Sequence, residues 1–287
     1  MCVSVIPAGF DDATQPVLHC PAVSLAPHEI VGLLALGLVA GALGGMLGIG
    51  GSIIMIPVLT LLLHRNHHVS QAVAMIVNVF VSLPAVWQHH RADAVRWNVM
   101  FRLLPFALVF IVVGVESSNQ IDGDMLEKMF GAFLIWIIWT NIYELIAQKP
   151  EFAVHEQRTT WPRLALVGSI TGFMAGLLGI GGGIIAVPLL QRVCRLPLRQ
   201  CIATTAALMV ITATIGSIRK NSTLSHLPEL SPDSWKDSLT IAAFLVPTAV
   251  LGGLFGGKLT HALPLNWVRV AFILLMTWAS LNMLGVL

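Results

Sequence analysis

The stretch Gly41-Ala-Leu-Gly-Gly-Met-Leu-Gly-Ile-Gly-Gly-Ser-Ile-Ile-Met-Ile-Pro57 returns 131 residues later as Gly172-Phe-Met-Ala-Gly-Leu-Leu-Gly-Ile-Gly-Gly-Gly-Ile-Ile-Ala-Val-Pro188. At this constant offset Gly45, Gly48, Gly50, Gly51 and Pro57 fall on Gly176, Gly179, Gly181, Gly182 and Pro188. Apolar residues agree by chance in such runs, whereas glycines and prolines at a fixed offset do not. The agreement continues outward: Gln71 and Ala74 fall on Gln200 and Ala203, Pro105 and Gly114 on Pro247 and Gly256, and Trp136 on Trp278. The chain reads as an internal duplication whose second copy is lengthened around Arg219 to Asp237, a polar, Pro-bearing stretch expected to be a loop.

The surroundings of the repeat are those of a membrane protein. Of 287 residues 56% are hydrophobic and only 10% charged, with a mean hydropathy of +0.83, against about 25% charged in a soluble domain. A net charge of +2 gives no field that argues for nucleic acid. Apolar runs cover about 30–63, 69–88, 98–115, 125–147, 162–190, 200–218, 239–257 and 265–287, each at or beyond the roughly 18 residues that signal a bilayer span. Residues 1–28 lack Lys and Arg and contain Pro7, Pro16, Pro21 and Pro27, which suits an irregular tail better than a signal peptide. The expected organisation is that tail, a first membrane repeat over 29–148, a loop over 149–161 and a second repeat over 162–287.

Topology depends on the two glycine-broken runs. If each crosses the bilayer, Lys and Arg divide almost evenly between the two faces. If each is a hairpin that enters and leaves on one face, the two halves become inverted. Arg91, Arg96, Arg102, Lys149, Arg158, Arg163, Arg192, Arg195, Arg199, Lys258 and Arg269 then share one face, and only Arg65, Lys128, Arg219, Lys220 and Lys236 the other. That bias satisfies the positive-inside rule and puts both termini outside. The predicted fold is therefore an all-α polytopic membrane protein of two inverted repeats, each a glycine-broken re-entrant hairpin plus three transmembrane helices.

In this arrangement Gly48 to Ser52 and Gly179 to Gly183 meet near the bilayer midplane. Irregular backbone at that depth must be buried in protein or line a cavity. Helix resumes at Ile53 and Ile184, so unpaired N–H groups and the positive end of the helix dipole face inward, which suits an anion. The competing reading is that small residues let helices pack closely. A nucleotide site is disfavoured because no Lys-Ser/Thr follows the glycines. Asn78, midway along the second run, and Thr204 and Thr205 in the sixth are further candidates for ligand contact, with Thr212 and Thr214 nearby; Gln71 and Gln200 read as helix caps or gates.

Glu116, Glu144, Arg102 and Arg219 all fall near run ends, which disfavours a buried acid relay. Exporting one negative charge from a negative interior gains about 2.3 kcal/mol per 100 mV, so outward anion movement needs no coupling ion. The ten histidines, chiefly His64, His67 and His68 and the His89-His90 pair, read as solvated surface rather than a metal site. Cys2, Cys20, Cys194 and Cys201 lack metal-ligand spacing; Cys2 could pair with Cys20 only on an oxidising side. Trp87, Trp97, Trp161, Trp235 and Trp267 suit an interfacial belt, and Trp136, Trp139 and Trp278 packing. No constellation suits an enzyme, and no cofactor is expected.

The duplicated G-x-L-G-I-G-G-x-I-I-x-x-P element resembles that of the TauE/SafE sulfite-exporter family, also called the sulfonate uptake permeases, over about residues 29–287. The resemblance implies a secondary transporter in a bacterial inner membrane for small sulfur-containing anions such as sulfite, sulfoacetate or other short sulfonates. Its implied ligand-facing positions are Gly48, Gly50, Gly51 and Ser52 with Gly179, Gly181, Gly182 and Gly183. The expected partners are that anion and the lipid bilayer, with no nucleic acid and with a homodimer left open. A passive anion channel using the same midplane site is the alternative.

Overall fold

A lipid environment offers no partner for backbone N–H and C=O groups, so apolar runs of this length fold as helices. The computed structural model describes residues 27–47, 50–147, 158–228, 230–259 and 265–286. Among these there are ten helices and no strand: α1 (Pro27–Leu47), α2 (Ser52–Pro57, continued by a π-helical turn over Val58–Leu62), α3 (His67–Arg91), α4 (Trp97–Asn119), α5 (Gly123–Ala147), α6 (Trp161–Leu178), α7 (Gly183–Cys194), α8 (Leu198–Leu224), α9 (Ser234–Leu259) and α10 (Leu265–Met283). Six stretches are long and apolar enough to cross a bilayer: Pro27–Gly45, His67–Arg91, Trp97–Asn119, Trp161–Leu178, Leu198–Leu224 and Ser234–Phe255. Cys2, Cys20, Gly48, Lys149 and most of the tail and of the loop between the halves lie outside the described residues.

The first and fifth apolar runs break where the glycines stand, giving α1 then α2 and α6 then α7. Their first legs are packed by a second set of glycines. On α6, a Cβ at Gly168, Gly172 or Gly176 would lie 2.8 Å from the carbonyl oxygen of Leu103, 2.4 Å from that of Ala107 and 2.2 Å from that of Ile111, all on α4. On α1, a Cβ at Gly37, Gly41 or Gly45 would lie 2.7, 2.1 and 2.6 Å from the carbonyl oxygens of Leu245, Ala249 and Gly253, all on α9. Real Cβ atoms do not approach so closely, so both seams require glycine. Each hairpin thus leans on a span from the other half, and α3 packs on α8 and α5 on α10.

Both hairpins close at their open ends. Arg65, just past the π turn, pairs with Glu29 in the first turn of α1 at 3.3 Å. The Arg158 N–H donates to the Cys194 carbonyl at 2.9 Å, and the Arg163 guanidinium to the Val193 carbonyl at 3.3 Å. The two closures lie at opposite ends of the bundle. The first adjoins the start of α3, where His68 meets Lys220 near the end of α8. The second adjoins the start of α8, where Thr204 Oγ1 accepts from the Arg96 N–H at 3.1 Å and Gln200 Oε1 from Arg96 Nε at 3.0 Å.

Three expectations are corrected. Helix α8 runs to Leu224, six residues past its apolar run, so Arg219 and Lys220 are helical rather than part of a loop. Their polar side chains find partners within the bundle, which hydropathy cannot register. His67 and His68 are buried, not solvated. Trp136, Trp139 and Trp278 face outward, Trp139 with 70% exposure, so they do not pack the interior. Trp87, Trp97, Trp161 and Trp235 are also exposed.

Candidate functional site

Asn78 and Met209 each lie eleven residues beyond the first residue of their helix, α3 and α8. Both reach the glycine breaks of both halves. A Cβ on Gly50 would fall 2.7 Å from Asn78 Oδ1 and 3.3 Å from Met209 Cε; one on Gly181 would fall 2.8 Å from Asn78 Nδ2 and 3.2 Å from Met209 Sδ. The amide is wedged between the two bends because neither bend carries a side chain. Gly50 and Gly181 have φ of +76° and +68°, a region glycine enters without steric cost.

One hydroxyl ties the bends together, and a second reaches the Gly181 bend from α8. Ser52 Oγ donates to the Ile180 carbonyl at 3.2 Å, from the first hairpin to the second. Thr212 Oγ1 lies 3.4 Å from the Gly181 carbonyl, and 3.1 Å from that of Leu208 in its own helix. Two residues past Gly50 and Gly181, α2 and α7 begin, neither with a side-chain cap. Their first N–H groups, from Ser52 and Ile53 and from Gly183 and Ile184, are those a helix leaves without an internal partner.

Buried polar atoms are almost always hydrogen-bonded. Among the described residues the buried side-chain atoms without a partner are both ring nitrogens of His67, the amide nitrogen and oxygen of Asn78, and the hydroxyl of Thr171. Asn78 lies between the bends. Thr171, on α6, has its methyl 2.9 Å from where a Cβ on Gly182 would stand. Two of these three side chains therefore sit at the glycine breaks, with Asn78 offering two N–H donors and an acceptor that nothing in the protein uses.

The structure brings Gly50, Gly51, Ser52, Asn78, Gly181, Gly182 and Gly183 together at one depth, all of them buried. Gly48 lies outside the described residues. Gly179 sits beside the site, with Gln71 Cβ and Cγ each 2.7 Å from where its own Cβ would be. Gln71 is a strut and not a gate: Nε2 donates to the Leu177 carbonyl at 3.0 Å and Oε1 accepts from Ser118 Oγ at 3.0 Å. Thr204 and Thr205 are not at the bends. Thr204 accepts from Arg96, and Thr205 Oγ1 donates to the Cys201 carbonyl at 2.5 Å, toward the start of α8. Thr212, singled out with the other threonines of its run, does reach the Gly181 bend; Met209 and Thr171 are additions. Met209 follows Asn78 at the offset of 131 that relates the glycine motifs, whereas aligning Gln71 with Gln200 shifts the register by two and hides it. Among the described residues no three His, Cys, Asp or Glu side chains gather as metal ligands.

The family described as Sulfite exporter TauE/SafE matches residues 33–283. The chain belongs to that family. It is similar to the probable membrane transporter protein MamO of Paramagnetospirillum magneticum, at 24% identity over 286 residues covering 89% of this chain and 44% of MamO. It is also similar to the probable membrane transporter protein YdhB of Bacillus subtilis, at 24% over 245 residues, covering 85% of this chain and 96% of YdhB. A probable membrane transporter protein of Xylella fastidiosa is 32% identical over 235 residues, covering 78% of this chain and 80% of its own. The chain spans about half the length of the MamO proteins it matches, 44% and 45%, but most of the YdhB and Xylella relatives. No solved structure matches. This TauE/SafE chain is a multi-pass membrane protein, and its relatives are named as transporters.

Proposed function

We propose that the protein is a secondary transporter that exports a small sulfur-containing anion, such as sulfite, sulfoacetate or another short sulfonate, by alternating access. The observation that carries this reading is the unpartnered Asn78 amide held between Gly50 and Gly181. An anion seated there would accept from the amide N–H groups and from the first N–H groups of α2 and α7, in the favourable field of two helix N-termini. Sulfonate oxygens supply the several acceptors such a cradle asks for. The sulfur chemistry rests on the family's description; Gly48, Thr204 and Thr205 are kept as further contacts.

The topology proposed for the membrane is two inverted repeats, each with a re-entrant hairpin, both termini outside and the basic face toward the cytoplasm of a bacterial inner membrane. The closures Glu29–Arg65 and Arg158–Cys194 at opposite ends of the bundle support it, as does the positive-inside count. A carrier is favoured over a passive channel because the site is closed: Ser52 and Asn78 are both 0% exposed, so a ligand enters only if the bundle moves. Export needs no coupling ion, since the membrane potential supplies about 2.3 kcal/mol per 100 mV.

The test is thermal-shift and calorimetric titration of purified protein with sulfite, sulfoacetate, taurine, sulfate and acetate. Binding confined to sulfur oxyanions or sulfonates, and lost in Asn78→Leu, Gly50→Val and Gly181→Val, is expected. Undiminished binding in Asn78→Leu would move the site elsewhere.

A further inference from the structure

Lys220 is a buried charge that the carrier reading leaves unused. It is 0% exposed and, among the described residues, takes no part in the ion pairs, which are Glu29–Arg65, Glu116–Arg219 and Asp233–Lys236. Its Nζ is bonded instead to three neutral groups: His68 Nδ1 at 2.8 Å, Ser118 Oγ at 2.9 Å and Asn119 Oδ1 at 2.9 Å. Three ammonium N–H groups thus meet three acceptors. An ammonium has only donors to offer, so with Lys220 charged the His68 Nδ1 facing it at 2.8 Å is the acceptor and the ring N–H sits on Nε2.

One excess proton satisfies this cluster in two places without any heavy atom moving. On Nζ, it lets the ammonium donate to Nδ1. On Nδ1, it lets the imidazolium donate to the amine lone pair while the other two N–H groups stay on Ser118 and Asn119. Two excess protons would set like charges 2.8 Å apart in a desolvated place. None would leave one buried acceptor without a donor.

A bonded chain leads from the cluster to the glycine break. Ser118 Oγ donates to Gln71 Oε1 at 3.0 Å, and Gln71 Nε2 to the Leu177 carbonyl at 3.0 Å, in the last turn of α6 before Gly179. Lys220 and Met209 are separated along α8 by about 16 Å at 1.5 Å per residue. Other titratable and charged groups face this end of the bundle. Helix α3 adds His67, with Arg65, paired with Glu29, just before it; α4 adds Glu116, already paired with Arg219 of α8; Asp122, Asp124, Lys128 and His226 are exposed, and Glu127 on α5 is half-buried. Lys236 and Asp237 begin α9, Lys236 paired with Asp233; Arg163 on α6 and Arg192 on α7 are at the opposite closure.

We infer that Lys220 and His68 form a proton-binding site linked to the anion site, so that the protein takes up part of a proton as it takes up its anion. This rests on the anion-carrier reading. The sign is fixed by charge: an anion stabilises the protonated pair, and by reciprocity the protonated pair tightens the anion. Unit charges about 16 Å apart at an effective dielectric near 20 give roughly a fivefold coupling. That corresponds at most to about 0.4 proton per anion near the pair's midpoint.

The experiment is calorimetric titration of the full chain with methanesulfonate, whose own charge is constant from pH 5 to 9, in two buffers of different ionisation heat. Wild type is expected to take up protons on binding, with affinity falling about fivefold as pH rises through the midpoint. The double variant Lys220→Met with His68→Leu should bind with no uptake and no pH dependence. Should it fail to fold, Lys220→Arg holds the charge fixed and should keep the tight affinity at every pH. Binding by wild type without proton uptake, or uptake that survives in both variants, would overturn the inference and leave the carrier reading standing. If folded wild type binds neither methanesulfonate, sulfite nor sulfoacetate, the carrier reading falls and the linkage with it.

Discussion

The two hairpins share a backbone plan and much of their apolar sequence, and differ in the side chains that face the breaks. In the second, Gly179, Gly181 and Gly182 all have positive φ, and α7 runs as one helix from Gly183 through Pro188 to Cys194. In the first, Gly51 is right-handed at φ −87°, and the helix widens into a π turn directly after Pro57, with the Leu63 N–H reaching the Val58 carbonyl at 3.2 Å. Ser52 stands where Gly183 does, and Asn78 where Met209 does. What duplication kept is therefore the break and its packing seam; what diverged is the lining. The first half brings the Asn78 amide and the Ser52 hydroxyl, and the second the Met209 thioether with the hydroxyls of Thr171 and Thr212, so the soft, polarisable surface comes from one half alone.

The seams should be the point of greatest equality. Gly41→Val and Gly172→Val each drive a side chain into a facing carbonyl, and we expect each to cost about 3 kcal/mol, read as similar losses of Tm and of folded yield. A large difference between them would show that the halves are not equivalent in packing. At the breaks, Gly50→Ala and Gly181→Ala should each lose about 1 to 2 kcal/mol from positive φ and the crowding of Asn78, with anion binding weakened at least tenfold in calorimetry. The lining should separate the halves. Asn78→Leu is expected to abolish binding while leaving Tm unchanged or raised, because an unpartnered buried amide is removed; Met209→Leu should cost under about 1.5 kcal/mol and leave binding nearly intact. The smallest effect belongs to Ser52→Ala, about 1 kcal/mol for its bond to Ile180, with no counterpart loss in Gly183→Ala.

The sequence made the helical class and the repeat legible, and it located the breaks, because a glycine or proline at a fixed offset carries backbone information directly. It could not separate two uses of glycine written in one motif. Gly41 and Gly45 belong to a packing seam and Gly50 to the bend, and the distinction is whether a neighbouring helix or a left-handed φ demands the missing Cβ. Asn78 was found by its depth, but its partner Met209 was not, since methionine in an apolar run carries no polar signal and the Gln71–Gln200 match pulled the register by two. Thr204 and Thr205 stand out as hydroxyls at depth, yet Thr204 caps the Arg96 N–H ahead of α4 and Thr205 bonds its own helix at Cys201. Lys220 was read as a loop charge because hydropathy ends a helix where charge begins, without seeing that His68, Ser118 and Asn119 await it.

The seams also say something about ancestry and assembly. The glycine ridge of α1 is filled by α9, and that of α6 by α4, so neither half of the chain can close its own ridge. A polypeptide ending after α5 would expose an unfilled glycine groove and would be completed only by a second chain supplying the missing span. A gene split within 149–157 should accordingly yield two fragments that accumulate together and vanish apart.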